Sequence, residues 1–149
     1  MNVAVAVWKS QCQGDKTILI MPRLFNKHYT RAEAQALLPL IRLWLKRIFQ
    51  LCKELEKAEE RVNKIMKSGC DAGGPLVNSW LRTQADLKDV MLEFQRREIQ
   101  IKDLERGLLD FPAIVDGKEV FLCWEDGEED IEFWHDIDSG YAGRQRLDA

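Results

Sequence analysis

From Ala34 onward the apolar residues return at a fixed interval. Ala34, Ile41, Ile48, Leu55 and Val62 fall seven apart, with Leu37, Trp44, Leu51, Ala58 and Ile65 three positions further on, giving five unbroken heptads. Such a run is the signature of a helix that buries one stripe along its length. In the early turns the adjacent position is also apolar (Leu38, Leu45, Cys52), but it becomes Glu59 later. A wide stripe narrowing to a seam predicts that the first half of the helix packs in a core and the second half meets one partner helix. Thr30-Arg31-Ala32-Glu33 places a hydroxyl and a carboxylate where each can take the other's backbone N–H, a capping box that starts the helix. Pro39 removes one amide donor and crowds the preceding carbonyl, so the first turns are expected to kink.

Ser68 to Pro75 reads SGCDAGGP, a turn whose glycines stop the first helix and whose Pro75 suits the first position of the next. The pattern predicts a second helix from about Pro75 to Arg106. Trp80, Leu87, Phe94, Ile101 and Leu108 again recur at seven, although Thr83, Gln84, Arg97 and Glu98 interrupt the stripe. Gly107 stands where a left-handed residue would end that helix. Helices of these lengths span roughly 55 and 45 Å, so the hairpin should protrude beyond any sheet that covers its base. From Asp110 the period changes to two. Phe111 to Val115, the Asp116-Gly117 pair, and Lys118 to Trp124 read as a hairpin with a primed turn. Asp126-Gly127 marks a second turn, and Ile131 to Ile137 a third strand. Leu122 and Trp124 should face one side, Phe121 and Cys123 the other. The expected fold is α+β: a long antiparallel, coiled-coil-like helical hairpin over 30–67 and 75–106, then a small three-stranded antiparallel β-meander over about 110–138 docked on its base. A C-terminal loop, 139–149, completes one domain over 21–149. A sheet this small needs a helix to cover it.

Residues 1–20 stand apart. Val3, Val5 and Val7, and again Ile18 and Ile20, alternate about Gly14-Asp15, which fits either a small hairpin or a disordered extension. A true start at Met21 would make the segment an artefact of gene prediction. Its VAVAVW stretch lacks the basic flank of a signal peptide, and no apolar run approaches the roughly 20 residues that span a bilayer. Cys12, Cys52, Cys70 and Cys123 form no ligand-like spacing and are expected to be free thiols in a reducing cytoplasm. The net charge of -3 hides an asymmetry: residues 31–67 carry nine Lys/Arg against five Asp/Glu, while 110–138 carry one lysine against eleven acids. The acidic segment argues against nucleic acid, and the basic one has acids interleaved and no aromatic platform. Opposite charges suggest that the two segments fold together, or pair between subunits.

Four stretches carry a family resemblance: Tyr29-Thr30 leading to Ala36-Leu-Leu-Pro39; Lys102-Asp-Leu-Glu-Arg-Gly-Leu-Leu-Asp-Phe-Pro112; Val120-Phe-Leu-Cys-Trp124; and Trp134-His-Asp-Ile-Asp-Ser-Gly-Tyr-Ala-Gly-Arg144. With these the chain resembles a bacterial family known as domain-of-unknown-function family 2203, over about residues 25–146. The resemblance implies no activity, cofactor or catalytic residue. The first 20 residues depart from the family pattern, and Gln35 stands where the family tends to have asparagine.

The last third of the chain concentrates ionisable residues beside glycines and tryptophans. His135 shares a strand face with Ile131, Phe133 and Ile137, the setting of a buried structural donor; the functional alternative is a general base or a metal ligand. His135, Asp136 and Asp138 would be the metal set, but a strand splits them between faces unless a bulge intervenes. Arg106, Tyr141 and Arg144 are candidates to hold an anion, with Asp110, Asp138 or His135 as proton carriers. The bland reading of the same residues is a set of caps and ion pairs that pin the C-terminal loop. No phosphate-binding glycine loop, GxSxG elbow, HExxH or Cys/His pair is present. The acidic tip Glu125 to Asp130 lacks calcium-loop spacing and reads as a solvated hairpin tip. The leading expectation is therefore a cytoplasmic interaction module with no cofactor and no affinity for membrane or nucleic acid. Its seam, built on Ile48, Leu51, Leu55 and Val62, would recruit a helical partner or a second copy. A small enzyme or metal- or anion-binding protein using the C-terminal cluster is the rival.

Overall fold

A computed structural model describes residues 22–71 and 73–147; the readings made for residues 1–20 and for a start at Met21 lie outside them. The fold is α+β, two helices followed by a five-stranded antiparallel sheet. Helix α1 spans Arg31–Lys67 and runs through Pro39. Its capping box is formed as the sequence requires, with the Thr30 hydroxyl accepting from the Glu33 amide and the Glu33 carboxylate accepting from the Thr30 amide. At the far end Gly69, at φ 75°, turns the chain. The Gly69 amide donates to the Met66 carbonyl and the Cys70 amide to that of Ile65.

Helix α2 spans Pro75–Arg96, ten residues short of the expected Arg106. The stop is a Schellman closure: the Glu98 amide donates to the Gln95 carbonyl and the Ile99 amide to that of Phe94. Its left-handed residue is Glu98, at φ 57°, rather than a glycine. The strain of that conformation is offset by the Glu98 carboxylate, which accepts from the Asn26 and Lys27 amides and the Asn26 side chain. Ile99 then drops into the core beside Phe94.

The sheet is a meander: β1 (Gln100–Asp103), β2 (Leu108–Val115), β3 (Lys118–Trp124), β4 (Phe133–Asp136) and β5 (Gln145–Arg146), in sequence order. Three of these strands are the expected ones. The two additions are edge strands, β1 taken from the supposed end of the second helix and β5 from the supposed C-terminal loop. Both hide from a periodicity argument because they are two to four residues long, and pairing with a longer neighbour is what makes them strands. Gly107 therefore ends no helix; it sits in the β1–β2 connection. The β2–β3 turn is the primed hairpin, with Asp116 at φ 50° and Gly117 at φ 78°.

Leu109, Phe111, Ala113, Val120, Leu122 and Trp124 face the helices and form one core with Ala34, Leu38, Ile41, Leu45 and Ile48 of α1. The Trp124 indole is fully buried and donates to the Glu128 carbonyl. The acidic β3–β4 loop meets α1 through Arg42, which donates to the Glu128 and Glu129 carbonyls, and through Gln35 on Asp130. Its carboxylates otherwise pair mostly outside α1, so the expected match of acidic segment to basic helix is only partly realised. Residues 22–30 cross the opposite face of the sheet as a strap. Phe25 packs edge-on against Phe121, the Tyr29 amide donates to the Pro112 carbonyl, and His28 meets Glu119 at 2.7 Å. No helix of the described residues is long and apolar enough to cross a membrane.

Candidate functional site

The face of the sheet turned away from the helices is also buried, and there the meander assembles polar residues. Alternation along β2, β3 and β4 puts Asp110, Cys123 and His135 on this side, and the register sets Asp110 directly opposite Cys123. Asp110 and His135 are 2% and 1% exposed, and Cys123 is fully buried. His135 Nε2 lies 3.0 Å from Asp110 Oδ2, while Nδ1 lies 2.7 Å from the Asp136 carbonyl oxygen. A carbonyl only accepts, so Nδ1 carries the hydrogen and Nε2 is directed at the carboxylate. The other oxygen, Asp110 Oδ1, is buried without a partner. Lys102 Nζ on β1 stands 4.0 Å from Asp110 Oδ2 and over the Phe121 ring. Burial first, and then the adjacent Asp110 carboxylate, push the Cys123 thiol up to about 12, which keeps it protonated and a poor nucleophile.

The C-terminal residues form a second, more exposed group. Arg106 makes a two-pronged ion pair with Glu125, at 2.8 and 2.9 Å, and this partner holds the Glu125 carboxyl below the usual range. Tyr141 lies between two guanidinium groups, Arg106 at 4.4 Å and Arg144 at 4.9 Å, and its hydroxyl donates to Glu125. Arg144 reaches Glu128 at 2.7 Å and the Cys123 carbonyl at 3.3 Å. The three residues expected to grip an anion are thus spent on one another and on two glutamates.

The structure does not bring His135, Asp136 and Asp138 together. Strand alternation sends Asp136 to the other side, where it pairs with Lys118 at 2.9 Å, and Asp138 is exposed in the turn beyond β4. His28 is held by Glu119 on the strap and joins neither group. The cluster that does form contains Cys123, which the sequence offered only as a free thiol. Alternation had already put it on the Phe121 side. What was missing was the register that carries Asp110 and His135 to it.

Along the hairpin, Ile48 and Leu51 are fully buried inside the chain and unavailable to a partner. Leu55 and Val62 are half-buried and line two clefts. One, of about 250 Å³, is bounded by Glu59, Val62, Asn63, Val77 and Trp80, and the Trp80 indole nitrogen is buried without a partner. The other is an open groove of about 560 Å³, lined by Leu55, Leu81, Gln84, Ala85, Leu87, Lys88 and Met91.

Over residues 27–147 the chain matches the family described as Uncharacterized conserved protein (DUF2203). No curated protein and no solved structure matches it.

Proposed function

We propose that this chain, which belongs to the DUF2203 family, is an interaction module whose helical hairpin pairs with a second copy of itself. One observation carries the reading. Beyond Leu51 in α1 and before Phe94 in α2, no described residue of the hairpin is fully buried, although the heptad pattern continues to Ile65. About 24 Å of α1 lies past Leu51. Two helices alone cannot close such a seam, and Leu81 and Met91 remain 50% and 38% exposed on its flank.

A second copy fits better than an unrelated helix because the strip carries both signs. Glu59 borders the cleft nearer the α1–α2 turn and Lys88 borders the groove nearer the sheet. An antiparallel two-fold pairing sets Glu59 of one copy against Lys88 of the other, twice, and closes after two subunits. The competing reading, a ligand site at Arg106, Tyr141 and Arg144, is disfavoured by their existing ion pairs.

Sedimentation equilibrium on the full chain tests this. The wild type should dimerise with a dissociation constant on the order of 10 μM or tighter. Leu81→Glu and Met91→Glu should be monomeric with unchanged circular dichroism. Lys88→Glu should weaken the dimer, and adding Glu59→Lys should restore it. A wild type that stays monomeric at 10 times that concentration, or a Leu81→Glu protein that still dimerises, refutes self-association.

A further inference from the structure

Asp110, Cys123 and His135 come from three adjacent strands, and one donor atom of each lies within 4.8 Å of the others. Two features of this cluster suit it to hold a cation. With its hydrogen on Nδ1, a neutral His135 turns a lone pair toward a carboxylate oxygen 3.0 Å away. Two lone pairs at that distance repel unless a proton or a metal cation lies between them. Asp110 Oδ1, meanwhile, is buried without a hydrogen-bond partner, an arrangement that is costly unless something occupies it.

We propose that Asp110, Cys123 and His135 bind one divalent transition-metal ion of the zinc type, clamped across β2, β3 and β4. Sulfur, imidazole nitrogen and carboxylate oxygen are the donors zinc takes, whereas calcium and magnesium call for oxygen donors alone. Tetrahedral coordination at zinc bond lengths needs donor atoms about 3.3–3.6 Å apart. The observed 3.0 Å from Asp110 Oδ2 to His135 Nε2 and the outer limit of 4.8 Å bracket that requirement. The two oxygens of one carboxylate lie too close together to fill two corners of a tetrahedron, so Asp110 supplies one donor and the fourth position is left for water. The Asp136 carbonyl on His135 Nδ1 is the outer-shell contact that orients a metal-bound imidazole.

Charge balances as well. Binding releases two protons, the thiol hydrogen of Cys123 and the one between Asp110 and His135. A dication with one thiolate and one carboxylate leaves the buried site neutral, as it was before. The cations that face it are Lys102, at 4.0 Å from Asp110 and 43% exposed, and Arg144, already neutralised by Glu128. Lys102 can swing into solvent when the ion enters. Because the three protein donors come from three adjacent strands and are buried, the ion would staple the sheet.

Full-length protein, freed of any tag and stripped with chelator, should take up one zinc ion per chain in equilibrium dialysis. With cobalt(II) it should develop a thiolate-to-metal charge-transfer band. That band should persist in Cys12→Ser/Cys52→Ser/Cys70→Ser and vanish in Cys123→Ser. Asp110→Asn should weaken uptake by more than the roughly 10–100-fold that outer-shell changes cause, and Lys102→Met should bind at least as tightly as wild type. The triple-serine protein also gives a test that needs no change at the site. X-ray absorption at its zinc edge should show one sulfur at about 2.3 Å among nitrogen and oxygen at about 2.0–2.2 Å. Zinc should also raise its melting temperature. Folded wild type that takes up no ion, a band that survives Cys123→Ser, or a shell without sulfur overturns the proposal.

Discussion

Replacing Gly107 by alanine separates backbone strain from packing. Gly107 sits at φ 64° in the β1–β2 connection, and its carbonyl accepts from the Asp126 amide at 3.2 Å. A Cβ added there would lie 2.6 Å from Asp126 Cβ and 3.4 Å from Leu45 Cδ1. The left-handed conformation alone costs an alanine about 1 kcal/mol, once the lower entropy of the unfolded chain is counted. The contact with Asp126 is different in kind, because a Cβ cannot rotate away. Either the β1–β2 or the β3–β4 connection must move, and forced overpacking of this sort costs about 1–3 kcal/mol. The total is about 2–4 kcal/mol.

Gly117→Ala is the matched control, since Gly117 is at φ 78° with nothing within 4 Å of its added Cβ. It should lose only the strain, about 1 kcal/mol. Urea unfolding gives both numbers directly, provided the slope is unchanged. Asp126→Gly removes the opposing Cβ, so the double variant with Gly107→Ala should recover most of the 1–3 kcal/mol packing loss. If Gly107→Ala loses no more than Gly117→Ala, or if Asp126→Gly gives no rescue, the close approach of these two connections is not real.

Other expectations follow from burial and charge. Ile48→Ala should destabilise by about 2–5 kcal/mol, a buried truncation, whereas Leu81→Glu should change the stability of the monomer by no more than about 0.5 kcal/mol in chemical denaturation. Burial raises the Tyr29 phenol to about 12, and its hydroxyl donates to the Arg97 carbonyl. The unfolded chain ionises this group at about 10, so the folded state loses stability as pH rises from 10 toward 12; an ultraviolet titration showing both tyrosines ionised by pH 10 in folded protein refutes this. The Glu98 carboxyl is held below its ordinary value by the Lys27 amide first and then by Asn26. Glu119 is also held low, hydrogen bonds from Leu24, His28 and Phe25 outweighing its burial. For depressed carboxyls the stabilisation is present above the unfolded value of about 4.3 and is lost as pH falls through the folded one. The strap over 22–30 should therefore loosen in acid, with the Asn26 and Lys27 amide resonances shifting at a midpoint below pH 4.3; a midpoint above it would contradict the hydrogen bonds.

What the sequence determined by itself was whatever local chemistry controls. The capping box at Thr30–Glu33, the glycine exit at Gly69, the Asp116-Gly117 primed turn, and the division of Leu122 and Trp124 from Phe121 and Cys123 are each settled within a few residues. The end of α2 was not, because its left-handed residue is Glu98, whose strain is relieved by amides 71 and 72 positions earlier in the chain. Without those partners Ile101 and Leu108 continue the heptad plausibly, and Gly107 looks like the stop. Edge strands β1 and β5 exist only because β2 and β4 offer unpaired amides and carbonyls to short segments. The buried cluster shows the same limit. Alternation puts Asp110, Cys123 and His135 on definite faces of their own strands, but a shift of register by one residue would turn any of them toward the helices. Tertiary pairing alone decides that a carboxylate, a thiol and an imidazole from three strands meet at one buried point, because only the register relates residues that local interactions never bring into contact.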